Sequence, residues 1–306
     1  MNREDFPMLK QDIIYFDSGA TCLKPNVLSE VTTEYYNTYS ANAHRGDYDI
    51  SLKVDNKYEG TRLLIKDFIG AERREEIVFT NGATDAMNKL IFGYFKNYLK
   101  KGDEVLLTKS EHASNILPWF ELRDEIGIEI KYISLDEDLK ITMENVEKIV
   151  SEKTKVISIA HITNVVGDIR PIKEITNYAH SKNILVVVDA AQSVPHMNYD
   201  VVDLDIDFLY FSAHKMYGPT GVGVLYGKYD LLSNIRPTQF GGGMNSIFNN
   251  DGIRIYHELP ELLEAGTPNI SGVIGFGAVI EYLNKIGMDK IKKYESELRS
   301  YATKRL

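Results

Sequence analysis

The sequence is short of cysteine: Cys22 is the single one among 306 residues. One thiol cannot close an internal disulfide, so small secreted scaffolds stapled by several bridges are excluded and a reducing compartment is expected. Blocks of basic residues are missing too. The 35 Lys and Arg are outnumbered by 44 Asp and Glu, a formal charge of −9. No stripe or run suits nucleic acid, and the scattered charges read as a solvated surface. Long apolar runs are also lacking. No stretch could span a bilayer, and residues 1–10 mix charged and apolar side chains without the apolar core of a signal peptide. There is no internal repeat and no low-complexity segment. These absences leave the expectation of a soluble, cytoplasmic protein.

What is present is material for a core. A hydrophobic content of 43% over this length suffices for one big domain with room for part of a second. Short apolar runs at 76–80, 103–108, 128–135, 155–160, 183–189 and 208–212 read as strands. Helical periodicity over 83–99 and 142–150 falls between them. Continuous apolar strands separated by helices indicate an α/β protein with a mostly parallel sheet covered on both faces. From about Ile270 the pattern becomes helical to the end of the chain, with a break expected near Gly287. Ligands of such sheets bind outside the carboxyl ends of the strands, so the residues after each apolar run matter most.

Those residues are chemical ones. The run Asn-Gly-Ala-Thr at 81–84 opens a helix, where free N–H groups and the helix dipole suit an anion; ordinary capping is the alternative. His112 follows the second strand. It could stack on a ring, lie on the surface or bind a metal, but no second histidine stands at ligand spacing, which disfavours zinc. Asn164, after the fourth strand, could orient a polar ligand. Asp189 ends the most apolar strand, where ionisation is costly unless the acid is paired. A protonated pyridine nitrogen is one such partner; loop amides are another. Lys215 follows the strand at 208–212 and is a candidate Schiff-base lysine, or else a surface loop lysine. Ser212 and His214 beside it could bind a phosphate. The nearby glycines do not form a nucleotide loop. Gly221 to Gly227-Lys228 is one residue too long for a P-loop, and Tyr226 occupies the last glycine position of the dinucleotide pattern.

Taken together, Asp189-x-x-Gln192 and Ser212-x-His214-Lys215 resemble the cofactor motif of class V aminotransferases. The nearest likeness is to the cysteine desulfurase and selenocysteine lyase group, in its group II branch. Further matching motifs are 15–20 with Lys24-Pro25, 42–46, 76–84, 111–119, 161–167, 241–244 and 264–269. The resemblance runs from Tyr15 to the end of the chain. It implies the large domain of a fold type I transferase that depends on pyridoxal 5′-phosphate (PLP). It further implies that Lys215 binds the cofactor covalently and moves protons at the substrate carbon. Asp189 would pair with the ring nitrogen and Gln192 with the ring hydroxyl, while His112 stacks on the ring. Ala83, Thr84, Ser212 and His214 would hold the phosphate, and Asn164 would lie beside ring and substrate. Thr267 would reach the phosphate in a neighbouring subunit, with Gly242 near the same interface, so a homodimer is implied. Where the family often has a threonine, Ala83 keeps only the backbone donor.

The resemblance divides the chain into an N-terminal segment at 1–25, the PLP-binding large domain at 26–268 and a linker helix at 269–306 leading into an incomplete C-terminal domain. The persulfide-forming cysteine of a desulfurase and the arginine that clamps the substrate carboxylate would lie beyond Leu306. The chain ends in an amphipathic stretch with no stop signal, so a fragment is expected. Cys22 does not match the nucleophile motif and reads as a buried small side chain, with a substitute nucleophile as the alternative. The activity implied is removal of sulfur from L-cysteine, giving L-alanine and a protein persulfide for an acceptor protein in iron–sulfur assembly. The alternatives are a selenocysteine lyase, a kynureninase-like hydrolase, an epimerase or a catalytically incomplete PLP-binding paralogue.

Overall fold

Runs of buried β-branched and aromatic residues build the middle of the protein. In the computed structural model, which describes residues 2–305, the chain opens with helices α1 (Asn26–Thr38) and α2 (Asp49–Ile69). Strand β1 (Ile77–Thr80), helices α3 (Ala83–Leu90) and α4 (Lys96–Tyr98), strand β2 (Glu104–Leu107) and helix α5 (Ala113–Ile126) follow. Next come β3 (Glu129–Tyr132), α6 (Met143–Ile149), β4 (Thr154–Ala160), α7 (Ile172–Ser181), β5 (Leu185–Asp189), β6 (Phe208–Ser212) and β7 (Gly223–Gly227). The chain finishes with α8 (Tyr229–Leu232), a separate hairpin of β8 (Asn245–Phe248) and β9 (Arg254–Tyr256), and helices α9 (Ile270–Ile286) and α10 (Met288–Thr303). Among the described residues no helix is long and apolar enough to cross a membrane.

The main sheet has seven strands in the order β1-β7-β6-β5-β4-β2-β3. Only β7 runs against the others, pairing antiparallel with β1 and β6. The remaining pairs are parallel. Alternate side chains enter two cores. Val186, Val188, Leu209 and Phe211 face one side, with Tyr58, Ile65 and Phe276. Val187, Phe208 and Tyr210 face the other, with Leu90, Phe95 and Trp119. Each such side chain, fully buried, adds about 1.5–3 kcal/mol of transfer free energy. This is the expected fold: a mostly parallel α/β sheet with helices on both faces.

Two local expectations change. No strand is read from the sequence at 223–227, yet it is a buried strand. Pairing on both edges supplies what the short Val-Leu-Tyr run lacks by itself. The periodicity over 83–99 predicts one helix, but a π-type turn at Ile91–Phe95 separates α3 from α4. There the chain at 235–236 presses close: the Gly93 carbonyl accepts the Arg236 N–H at 3.0 Å, and a Cβ at Gly93 would stand 2.6 Å from the Arg236 carbonyl oxygen. A widened turn accommodates such an approach. The break foreseen near Gly287 is present, with that residue at φ +90° between α9 and α10. Helix α9 is buried along most of its length and seats against α1 and α2, where a Cβ at Gly277 would lie 2.3 Å from Thr61 Oγ1.

Candidate active site

Because only β7 is reversed, the carboxyl ends of β1, β2, β4, β5 and β6 open on one edge. Register places Asp189 beside Ala160 and Tyr210, and Ser212 and Thr80 both opposite Gly223. Gly223 has no room for a side chain; its Cβ would lie 2.4 Å from Gly82 Cα. That contact brings the start of α3 down onto the end of β6. The Ala83 N–H then donates to Ser212 Oγ at 2.8 Å.

The edge encloses a cavity of about 650 Å³. Ala83, Thr84, His112, Asn164, Asp189, Gln192, Ser212, His214 and Lys215 all line it. So nine of the residues singled out from the sequence, scattered over 133 positions of chain, share one space. Two do not enter it. Thr267 lines a neighbouring cavity of about 160 Å³ with Tyr58, Lys89 and Glu264. Gly242 lies against Arg45, and its carbonyl accepts the Gly266 N–H at 2.7 Å.

Asp189 is 5% exposed, and one carboxylate oxygen accepts the Ala191 N–H at 2.9 Å. Burial raises its pKa to about 6; the Ala191 N–H opposes the rise, the Glu111 charge adds to it and Lys215 opposes it. An acid so placed gains from a cation held in the cavity. Gln192 Nε2 donates to the Gly19 carbonyl at 2.8 Å. His112 caps α5, its Nδ1 accepting the Ser114 N–H at 3.1 Å. Partial burial in the cavity wall, and then the Lys215 cation, lower its pKa and favour the neutral ring. His214 is lowered likewise, by burial and then by Lys215 and Lys24. Thr84 and Ser114 hydroxyls meet at 2.8 Å on the rim.

Sequence reasoning missed the supports. Glu111 is buried and accepts from Thr108 Oγ1 at 2.6 Å, Asn115 Nδ2 at 3.0 Å and the Ala160 N–H at 2.8 Å. The buried Arg170 guanidinium completes its shell. This network ties the turn before His112 to β4. A second pair, buried Arg62 with partly buried Glu264 at 2.7 and 3.0 Å, anchors the 264–269 loop to α2, while Glu264 also accepts the Phe79 N–H at 2.6 Å. Such interior charges leave no periodic trace in a sequence. The N-terminal segment is a further wall: Phe16, Asp17, Gly19 and Ala20 face the cavity. Cys22 is 3% exposed, and its Sγ donates to the Lys215 carbonyl at 2.6 Å. Burial raises its pKa, so the thiol keeps its proton, which suits the reading of a buried small side chain and not that of a nucleophile.

The donor set sorts itself along the cavity. Backbone and hydroxyl donors with His214 stand together at the α3 end, Lys215 lines the same cavity, and a buried acid wants a cation. That fits a phosphate ester joined to a basic aromatic ring carrying an aldehyde, as in PLP. Among the described residues no group of three or more His, Cys, Asp and Glu could hold a metal ion.

Comparison with known proteins agrees with this geometry. The family described as aminotransferase class-V matches residues 14–306. A probable cysteine desulfurase of Halalkalibacterium halodurans is 44% identical over 98% of this chain and 75% of its own length. A cysteine desulfurase of Haloferax volcanii is 36% identical over 99% of this chain and 75% of its own. The apo structure of a cysteine desulfurase from Thermococcus onnurineus superposes with a TM-score of 0.94 at 39% identity, over 99% of this chain and 74% of that one. A cysteine desulfurase of Escherichia coli gives 0.91 at 33%, over 98% and 75%. The chain thus spans about three quarters of each of these relatives. With the family match covering nearly every residue and such identity over nearly the whole chain, the chain belongs to the class V aminotransferase family, among its cysteine desulfurases.

Proposed function

We propose that this chain carries the cofactor machinery of a PLP-dependent cysteine desulfurase, which takes sulfur from L-cysteine and leaves L-alanine. The observation that carries the reading is the meeting of a buried, proton-hungry Asp189 and the Lys215 amine across one cavity whose α3 end is built of anion donors. When bound, PLP supplies an electron sink for the charge that develops on the substrate carbon.

The residues then have distinct tasks. Lys215 would bind the cofactor covalently, and its Nζ would move the proton at the substrate α-carbon. Asp189 holds a proton on the ring nitrogen, and its burial makes that attraction strong. Gln192 faces the ring hydroxyl. His112, favoured as the neutral ring, packs on the cofactor face without adding a competing cation. Ser212, His214, Thr84 and the amides from Ala83 hold the phosphate. Asn164 stands at the mouth for the substrate carboxylate. Cys22, buried against a backbone carbonyl, has no part in sulfur transfer.

A homodimer is part of the proposal. Thr267 and Gly242 lie outside their own chain's cavity, and the hairpin β8–β9, which begins three residues after Gly242, has Phe248 and Ile253 72% and 61% exposed. A second copy would cover that apolar surface and bring Thr267 to the partner's phosphate. A cysteine thiolate other than Cys22 would take the substrate sulfur as a persulfide, the electron pair of the broken C–S bond staying with the carbon that becomes the alanine methyl group, and the outer sulfur would then pass to an acceptor protein for iron–sulfur assembly.

The test is borohydride reduction of the PLP-loaded protein followed by peptide mass mapping. The reduced cofactor is expected on the peptide containing Lys215; its appearance on another lysine overturns the assignment. An assay for alanine and sulfide from L-cysteine, with an added thiol as sulfur acceptor and reductant, then tests the reaction itself.

A further inference from the structure

We propose that Lys24 is a positioning residue for Lys215: its ammonium pins the His214 carbonyl and so fixes the peptide plane from which the Lys215 side chain departs. The inference rests on the reading of Lys215 as the cofactor-binding amine and adds a residue to that site.

The 3-10 turn Ala213–Lys215 satisfies itself poorly. Both Met216 and Gly218 donate their N–H groups to the Ala213 carbonyl, at 2.9 Å each, and Tyr217 is held at φ +60°, a region costly for a residue with a side chain. The carbonyls of His214 and Lys215 therefore look outside the turn, and the N-terminal segment meets them both. Lys24 Nζ donates to the His214 carbonyl at 2.7 Å, Thr21 Oγ1 at 3.2 Å and the Cys22 N–H at 3.1 Å. The Cys22 thiol takes the Lys215 carbonyl at 2.6 Å. Three donors on one carbonyl exceed what satisfying its two lone pairs requires.

The identity of the third donor carries the argument. Lys24 is half-buried, its other partner is the neutral Thr21 hydroxyl at 3.3 Å, and burial lowers its pKa to about 8 with no carboxylate to offset it among the described residues. Keeping a cation there is costly if any donor would serve. A charged donor makes a shorter and stronger bond to a carbonyl than a neutral one. The peptide that it grips is the one leading into Lys215. The segment gripping it also forms the opposite cavity wall, through Gly19 and Ala20. Lys24 thus couples wall and lysine.

The experiment uses the apo protein and PLP itself. Absorbance in a stopped-flow instrument follows covalent capture of PLP, and borohydride trapping locates it, in the unmodified chain, Lys24→Met and Lys24→Arg; urea unfolding is run on each. Lys24→Met is expected to slow capture by about tenfold or more, as misplacing a reacting group by a fraction of an ångström does, and Lys24→Arg to recover most of the rate. Capture by Lys24→Met at the unmodified rate overturns the proposal, as does a loss that follows the urea midpoint and that arginine does not rescue. If Lys24→Met does not fold, Thr21→Val is measured instead: slower capture upholds the proposal and an unchanged rate sinks it. A failure of the unmodified chain to trap PLP at Lys215 is a different result, since it removes the cofactor reading on which this rests.

Discussion

The cavity at the strand edge and the hairpin β8–β9 treat their difficult groups in opposite ways. Around the cavity, several polar groups that would be costly to bury are satisfied from within the chain: Glu111 by four neighbours, Ser212 by Ala83, the His214 carbonyl by three donors. In the hairpin the difficult groups are apolar and exposed, Phe248 above all, and two strands paired only with each other hold them. A two-stranded ribbon alone is marginal in water. One region draws most of its groups from a single chain, with Thr267 of a second copy as the proposed addition; the other gains most from a second surface. The fold puts chemistry in the first and leaves association to the second.

The largest effect that would break this contrast is loss of the cofactor itself. Lys215→Ala should abolish borohydride-trapped PLP and turnover together, read by intact mass and by alanine release. Asp189→Asn sharpens it next. Turnover should fall by roughly 10²–10³-fold, the scale of removing one preorganised charge partner. The apo protein should respond in the reverse direction. A carboxyl whose folded pKa is raised to about 6 favours the folded state only while protonated. Its contribution is lost as pH rises from the unfolded value near 4 through 6, and stays lost above. Asp189→Asn should therefore stabilise the apo protein by on the order of 1–3 kcal/mol at pH 8 and by nothing below pH 4. Urea melts at the two pH values check this, and equal shifts at both would refute it.

A smaller effect tests the hairpin. Phe248→Asp with Ile253→Asp should raise the dimer dissociation constant by about tenfold or more, as loss of interface anchors does. The single-chain cavity should still trap PLP. Sedimentation and borohydride mass separate the two outcomes; a variant that lost PLP while staying dimeric would reverse the comparison. The smallest expected effect is at Cys22. Cys22→Ser should lower stability by about 1–2 kcal/mol through altered packing and hydrogen bonding, with borohydride-trapped PLP, and alanine release from L-cysteine to an added thiol, unchanged. A collapse of that release without change in the urea midpoint would restore the thiol as a nucleophile.

Much of the site could be read in advance because a parallel sheet advertises its own working edge. Asp189, Ser212 and the residues just after them stand where apolar strands stop, and a polar residue at such a place is conspicuous. Strand β7 was not legible, since three apolar residues between glycines carry no period until β1 and β6 pair with them. Glu111 and Arg170 were not either. A charged residue in a sequence reads as surface, and only folding reveals that these two are buried against each other. The π-type turn at Ile91–Phe95 answers to a loop that arrives more than 140 positions later.

Sequence alone determined the α/β class, the order of the strands along the chain and the chemistry at their ends, because apolar runs and the polar residues that terminate them are local features. Tertiary structure decided which of those ends meet, which charges go inside and what the N-terminal segment does. Cys22, Thr21 and Lys24 touch the Lys215 turn across more than 180 positions of chain. A contact at that separation is set by how elements pack, so no window of sequence contains it.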